Sequence, residues 1–251
     1  MPLVDDIYLN TGSAVVAANL AASQATGLGS NVGALQTGIG PAGRVYTYEI
    51  VPLTLNTAAY AALQTPSTGA ITLSAGTGIT AVTVSGTTVY QCDVPRIVTI
   101  SSGASDTGIT FTVSGNDFYG APMTQTVTGV SAATVSTTKA FYQVKSVSHT
   151  GSVNTTVTVG TGDVYGLPYF LRGRESIVAV GYAGTAAQSA VSATVGVTTT
   201  PATSFTGDVR GTYALGSASN GTNRLVFVAV IGTSQVGTAA TTASVLGVTQ
   251  A

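Results

Sequence analysis

Charged side chains are scarce in this 251-residue chain: they make up 7% of it, with 8 Lys and Arg against 9 Asp and Glu. An ordinary soluble domain has about 25%. Eight basic residues and a net charge of −1 exclude the positively charged stripe that nucleic-acid binding requires. A folded chain of this length exposes about 10,000 Å², or about 600 Å² for each charge. The surface is therefore expected to consist mainly of Thr, Ser, Ala and Gly.

Cysteine, histidine and long apolar runs are scarce as well. Cys92 is the only cysteine, which excludes an intrachain disulfide, and Cys92 with the single histidine cannot form a zinc site of the usual kind. The longest apolar run, Leu225–Ile231, has the length of a strand and falls far short of the about 20 residues that cross a bilayer. The N-terminus carries Asp5 and Asp6 and no basic segment, so no signal peptide is expected. These absences predict a chain without a membrane partner, cofactor or resident metal.

Residues 1–43 are predicted to form an extended arm rich in Gly and Ala. Between residues 27 and 41 a glycine recurs every two to five positions, which disfavours both helix and strand. Such an arm gains order by lying on a neighbouring subunit, or it is a frayed terminus, and the sequence leaves both alternatives open.

From residue 44 onward the apolar pattern has a period of two, which predicts an all-β fold of the β-sandwich or jelly-roll type. One short helix is predicted over 58–63, with Asn56 as its N-cap. The first strand is predicted from residue 44 to residue 51. The remaining strands are predicted at 70–73, 80–85, 97–100, 110–113, 124–128, 141–147, 155–159, 177–182, 192–197, 203–205, 225–231 and 243–248. Residues 44–251 form one large β-region or two smaller ones, with a break near 94–95 or near 166.

The predicted strands present hydroxyl groups where soluble β-proteins usually present charge. In residues 109–114 the apolar side chains alternate with Thr and Ser, so one face is expected to be buried and the other covered by hydroxyls. Sheet edges are normally protected by Lys, Pro or bulges, and the chain has lysine only at Lys139 and Lys145. Of the two remaining solutions, closure of the sheet and coverage by other subunits, we expect coverage.

No reaction centre is recognisable, so the chain is not expected to be an enzyme. His149 follows a predicted strand and is expected to be a turn or surface residue, and no Gly-x-Ser-x-Gly motif is present. The carboxylates are scattered, although a Ca²⁺ site using loop carbonyls with Asp106, Asp117 or Asp163 is left open. A β-sandwich hydrolase is the weakest hypothesis, since glycosidase grooves are typically lined with Trp and this chain has none.

The few charges cluster in RGRE (172–175) and GDVRGTY (207–213). In a strand, Asp208 and Arg210 would share a face, either as a solvated ion pair or as a pair between subunits, and the scarcity of charge favours the second. Arg and Tyr are enriched at protein interfaces. The candidate interface residues are Tyr8, Arg44, Tyr46, Arg172, Arg174, Tyr182, Arg210 and Tyr213.

Residues from about 94 to 224 resemble a group of structural proteins of tailed bacteriophages. The resemblance covers about half the chain and depends on the order of several short motifs. They are PRIVTI (95–100), DTGITFTVSGND (106–117), TVTG (126–129), VSTTKAF (135–141), TVGTGD (158–163), GLP (166–168) and GDVRGTY (207–213).

The resemblance implies a virion component, most closely a head decoration or cement protein. Such proteins are β-rich and often jelly-roll-like, and as dimers or trimers they bind outside the shell, where they bridge major capsid protein subunits. The implied location is the capsid exterior, after assembly in the host cytoplasm. The alternatives are a tail, baseplate or fibre component and a surface module that binds glycans.

Overall fold

The regular secondary structure of the described residues is almost entirely antiparallel strand, which confirms the all-β prediction. A computed structural model describes residues 44–67, 69–183, 192–198, 202–231 and 247–250. A one-turn 3₁₀ helix, Arg174–Ser176, is found among the strands. In chain order the strands are β1 (Arg44–Ile50), β2 (Ala61–Gln64), β3 (Gly69–Ala70), β4 (Ile79–Val84), β5 (Thr87–Ser102), β6 (Thr110–Asn116), β7 (Pro122–Thr128), β8 (Thr134–His149), β9 (Val157–Gly166), β10 (Ile177–Tyr182), β11 (Ala193–Val195), β12 (Gly211–Ala214) and β13 (Leu225–Ile231).

The strands form two sheets. The larger sheet has ten strands and the order β11-β12-β9-β5-β8-β6-β7, with β2, β3 and β4 paired onto β9, β8 and β5. The smaller sheet has three strands in the order β1-β13-β10. Every strand pairing in both sheets is antiparallel.

Strands β5 and β8, each of 16 residues, organise the larger sheet. The first part of β5 pairs with β4, while its second part pairs with β9, and β8 lies along the other side of both parts. The register of β5 shifts between Gln91 and Arg96 and again between Ile97 and Thr99. Because bulges bend a strand and increase its twist, these shifts allow one long sheet to curl over its own core.

The turn of the β4–β5 hairpin has the backbone geometry that its sequence favours. Val84 and Thr87 are paired, which leaves Ser85 and Gly86 as a two-residue loop. Both loop residues have positive φ, 48° and 78°. A two-residue hairpin loop with positive φ at both positions matches the right-handed twist of the strands, and glycine reaches this conformation without steric cost.

Two apolar clusters fill the interior. One lies within the curl of the larger sheet and includes Phe111, Phe141 and Ile100, none of which is measurably exposed. The other lies between the inner face of the smaller sheet and the segment that follows β9, and the Tyr213 and Phe227 rings meet there edge to face at 5.5 Å. Burial of these side chains, at about 1.5–3 kcal/mol each, provides the main favourable contribution to folding.

The outward face of β6, β7 and β8 carries hydroxyl groups, as the alternation predicts. Thr112 lies between Thr126 and Ser148 in the ladder, and Ser114 lies between Thr124 and Ser146. The intervening β6 residues, Phe111 and Val113, are fully buried.

The edge of β7 is covered by the chain itself, where we had expected another subunit. The Thr126 amide donates to the Ser204 carbonyl at 3.0 Å, so the turn at 203–206 lies along this edge. The Tyr119 hydroxyl, from the β6–β7 turn, donates to the Pro168 carbonyl at 2.6 Å. Ser204 lies between β11 and β12, and Pro168 follows β9. The two bonds therefore join opposite ends of the strand order, which the curl of the sheet brings together.

Two local predictions are wrong. The helix predicted over 58–63 is a turn followed by β2: Asn56 accepts a hydrogen bond from the Ala58 amide, but the chain then extends. The Tyr60 amide donates to Val159 and its carbonyl accepts from Ser74, so pairing with distant segments replaces the helical bonds. The strand predicted at 203–205 is instead the turn that covers β7.

The remaining predicted strands and domain breaks either have a position in the structure or lie outside the described residues. Strand 70–73 is reduced to β3, and β12 was not predicted. Residues 94–95 lie inside β5, and residue 166 ends β9. The arm at 1–43 and most of the strand predicted at 243–248 lie outside the described residues. No helix in the described ranges is both long and apolar enough to cross a membrane.

Candidate functional site

Three of the candidate interface residues belong to the interior of this chain. Tyr182, Arg210 and Tyr213 are 4%, 5% and 1% exposed. The Tyr182 hydroxyl donates to the Ala218 carbonyl at 3.3 Å, and Tyr213 packs against Phe227. These three side chains therefore pack inside the chain, and their prediction as interface residues is wrong.

Of the other five candidates, Tyr46, Arg172 and Arg174 have described side chains. Arg172 and Arg174 are exposed near β10, where Arg174 Nε donates to the Ala193 carbonyl at 2.7 Å. Tyr46 is half-buried on β1, and its ring lies 5.3 Å from that of Tyr169. Arg44 begins β1, but its side chain is outside the description, as is the whole of Tyr8.

Arg210 is the centre of a buried polar network. Its Nη2 atom lies 2.8 Å from Asp117 Oδ2, with the two side chains 6% and 1% exposed, and its Nε donates to the Leu167 carbonyl at 3.2 Å. The guanidinium also lies 5.2 Å from the centre of the Tyr119 ring. An ion pair this deeply buried is costly to break, because removal of one partner leaves the other charged and desolvated.

Asp208 does meet Arg210, but within the chain and through the Arg210 backbone amide. Residues 207–210 precede β12 and are not part of a strand, so Asp208 and Arg210 do not share a strand face. Asp208 instead accepts hydrogen bonds from the Arg210 amide at 2.9 Å and the Ala140 amide at 3.1 Å. Burial raises the pKa of Asp208, and Arg210 opposes this shift without cancelling it.

A second buried cation, Arg96, was not predicted as a functional residue. It is 1% exposed, bonds Asp93 Oδ2 and the Leu53 carbonyl, and stacks on the Tyr165 ring at 5.2 Å. Burial lowers the pKa of Arg96, but the adjacent Asp93 raises it further, so the net shift is upward and the guanidinium stays charged. The sequence signal that could have identified Arg96 is the aspartate three positions before it, Asp93, within an apolar strand.

The two residues best suited to nucleophilic chemistry are both constrained. His149 is 7% exposed at the end of β8, so the expectation of a turn or surface residue is wrong. Its Nδ1 donates to the Gly151 carbonyl at 2.6 Å, and no carboxylate of the described residues forms an ion pair with it. Burial, followed by the neighbouring Asp93 carboxylate, raises the pKa of Cys92 to about 12, so its thiol is protonated at neutral pH.

The three aspartates considered for Ca²⁺ do not come together. Asp117 is occupied by Arg210 and by two backbone amides of its own turn, and Asp163 accepts from the Ser219 and Tyr165 hydroxyls. Asp106 is fully buried and accepts from the Asn154 amide. In the described part of the chain, no three His, Cys, Asp or Glu side chains are placed to hold a metal ion.

The outer face of the smaller sheet is apolar, and we call it the valine face: Val45, Val226, Val228 and Val230, with Val178 beside them. The ladder pairs Val45 with Val230 and Ala179 with Val228. Val45 is 46% exposed and Val178, at the bulge of β10, is 60% exposed. Apart from Glu49, paired at 3.2 Å with Arg224 at one end of the sheet, the described side chains on this face carry no charge.

A different surface, on the larger sheet, carries three amide side chains in a row. We call Asn116, Gln143 and Gln91 the amide ladder. Asn116 Nδ2 donates to Gln143 Oε1 and Gln143 Nε2 donates to Gln91 Oε1, each at 2.9 Å. Gln91 Nε2 then donates to the Tyr142 hydroxyl at 3.1 Å, so all three bonds run in one direction.

Exposed aromatic rings lie at the end of this ladder. The β6–β7 turn, residues 117–121, is called the aromatic turn because it carries Phe118 and Tyr119, 41% and 50% exposed. The Phe118 ring meets the Tyr119 ring edge to face at 5.2 Å and the Tyr142 ring at 5.5 Å.

Tyr142 and Gln91 also line a cleft of about 300 Å³ between the β4–β5 hairpin, β8 and the segment around Leu53. The other lining residues are Leu53, Gly78, Ile79, Thr80, Cys92 and Asp93. The Asp93 carboxylate is 2.7 Å from both Arg96 Nη2 and the Leu53 amide, so its charge is balanced inside the chain.

Comparison with known proteins finds no match for this chain among protein-family models, curated proteins or solved structures.

Proposed function

We propose that this protein is a structural component of a bacteriophage virion that binds the outside of the capsid and stabilises it by bridging major capsid subunits. The observation that carries the proposal is the valine face. Exposed valines on an open sheet are unfavourable in water, at about 25 cal/mol per Å² of apolar surface, and their burial against a neighbour recovers that free energy.

The distribution of charge supports an assembly role. Arg96 and Arg210 bind carboxylates inside the chain, and Arg224 pairs with Glu49 beside the valine face. The surface of β6, β7 and β8 carries hydroxyls. Contact with the shell would then depend mainly on apolar burial, and occupancy should change little between low and high salt.

The decisive experiment adds purified protein to heads that were assembled without it. The wild type should bind in a fixed ratio to the capsid subunits and raise the temperature at which the shells break. Val45→Lys and Val178→Lys should remove binding while the isolated variants remain folded, since both positions are exposed. Val84→Lys, at a 38% exposed valine at the end of β4, is the matched control and should bind like the wild type.

Heads that remain bare with the wild type would refute the capsid proposal. Electron microscopy of virions with a labelled antibody separates it from its alternative, since label on the tail, baseplate or fibres would replace a head role by a tail role. Sedimentation of the free protein tests the accompanying proposal that it binds as a dimer or trimer.

A further inference from the structure

The amide ladder, the aromatic turn and the cleft meet at Tyr142. Its ring contacts Phe118, its hydroxyl accepts from Gln91, and it lines the cleft. We propose that this place is a binding site for a neutral saccharide, with one sugar ring in the cleft and a neighbouring ring against Phe118. The site lies on the larger sheet, apart from the valine face, and does not depend on the proposed capsid role.

The hydrogen-bonding groups suit hydroxyl ligands. Each amide of the ladder donates one N–H to its neighbour and retains a second N–H and further acceptor capacity. The Tyr142 hydroxyl accepts from Gln91, and its own hydrogen can still be donated. Thr80 adds a hydroxyl to the cleft. A sugar hydroxyl both donates and accepts, so a row of mixed donors and acceptors complements adjacent hydroxyls of a sugar ring.

The aromatic rings supply the other half of saccharide recognition. The C–H faces of a sugar ring are apolar and pack on an aromatic ring, and Phe118 and Tyr119 are exposed beside Tyr142. A cleft of about 300 Å³ is at the small end of ligand sites, which favours a single sugar ring inside it.

Hydrogen bonds to the interior of the chain hold the aromatic turn in place. Asp117 Oδ1 accepts from the Tyr119 amide at 2.9 Å and the Ala121 amide at 2.8 Å, while Oδ2 binds the buried Arg210. The Tyr119 hydroxyl is fixed on the Pro168 carbonyl. A rigid site loses less entropy on binding, so this anchoring favours recognition by the exposed rings.

The charge balance selects a neutral ligand. Asp93 is the charged residue of the cleft lining, and its oxygens are engaged by Arg96, the Leu53 amide and Cys92 Sγ. No cation of the lining is available to attract phosphate, sulfate or carboxylate groups.

The test measures binding of maltohexaose, cellohexaose, chitohexaose and lactose by saturation-transfer NMR, with each probe at about 10 mM. We expect at least one to bind the wild type. Phe118→Ala should weaken that binding about tenfold. Tyr142→Phe removes only the hydroxyl and should also weaken it. Phe205→Ala, at a phenyl ring 80% exposed and outside the cleft lining, is the matched control and should leave binding unchanged.

Absence of binding by every probe would overturn the proposal, as would equal affinity of the Phe118→Ala and Phe205→Ala variants. Tighter binding of sialyllactose than of lactose would overturn the assignment to neutral saccharides. Binding of Phe118→Ala to capsid shells is expected to match the wild type, so failure of the saccharide proposal and failure of the capsid proposal are distinguishable.

Discussion

Breaking the Asp117–Arg210 ion pair should destabilise the isolated chain strongly. Asp117→Asn keeps an oxygen that can accept from the amides of the aromatic turn and removes only the charge. Arg210→Met removes the guanidinium, including its bond to the Leu167 carbonyl. Each variant removes one member of an ion pair whose side chains are 6% and 1% exposed, and loss of this partner from a buried charge costs about 3–5 kcal/mol.

The double variant separates the energy of the ion pair from the other contributions of the two side chains. With both charges removed, the remaining loss is about one to two hydrogen bonds, or about 1–3 kcal/mol. The two single variants together should cost about 6–10 kcal/mol, so the coupling energy in the double-mutant cycle should exceed about 3 kcal/mol. Since a domain is stable by only about 5–15 kcal/mol, either single variant should lower the urea midpoint severely.

The assay is urea unfolding followed by circular dichroism and by the fluorescence of the 11 tyrosines, because the chain has no Trp. The matched control is Arg224→Met, which breaks the pair with Glu49, whose side chains are 61% and 50% exposed; this change should cost less than about 1 kcal/mol. If Arg210→Met costs no more than Arg224→Met, the buried-pair argument fails and Arg210 returns to the set of interface candidates.

Three further predictions concern the interior. Gly160→Ala should cost about 1–3 kcal/mol in urea unfolding, because a Cβ there would overlap the backbone of Asn56 and Thr57, whereas Gly108→Ala meets nothing within 4 Å. Asp208 has a raised folded-state pKa, so its contribution to stability is present below the ordinary carboxyl pKa and is lost as pH rises through the raised value. Asp208→Asn should therefore flatten the loss of stability that sets in as pH rises above the ordinary carboxyl pKa. Cys92 should react with a thiol reagent only when the chain unfolds, because burial keeps its pKa near 12.

Each of these has a clear contrary result. Equal stability of the two Gly→Ala variants would contradict the close approach at Gly160. A pH profile that Asp208→Asn leaves unchanged would assign the titration to other groups. Rapid modification of Cys92 in native conditions would show that the thiol is accessible.

The local sequence pattern was sufficient to predict a strand wherever that strand buries one face and exposes the other. The prediction for 225–231 coincides with β13, because Leu225, Phe227 and Ala229 alternate with three half-buried valines. The hydroxyl surface of β6 followed from the same period of two. Strand β12 was missed because Gly211–Ala214 has no such alternation: its first three residues are buried together.

The candidate sites were harder to predict, because each combines residues that are distant in sequence. Asp117 and Arg210 are separated by 93 positions, and Gln91 and Gln143 by 52. Nothing local at Asn116, Gln143 or Gln91 indicates a shared row until the register places them on adjacent strands.

The β content, the hydroxyl faces and the scarcity of charge could be predicted from sequence, because these depend on composition and on a period of two. Three features required the folded chain: which Arg and Tyr side chains are interior, why 58–63 is no helix, and how the edge of β7 is covered. The physical reason is that burial and pairing across a curled sheet depend on long-range register. In the described residues, that register turned Arg210 from a presumed surface contact into part of the interior.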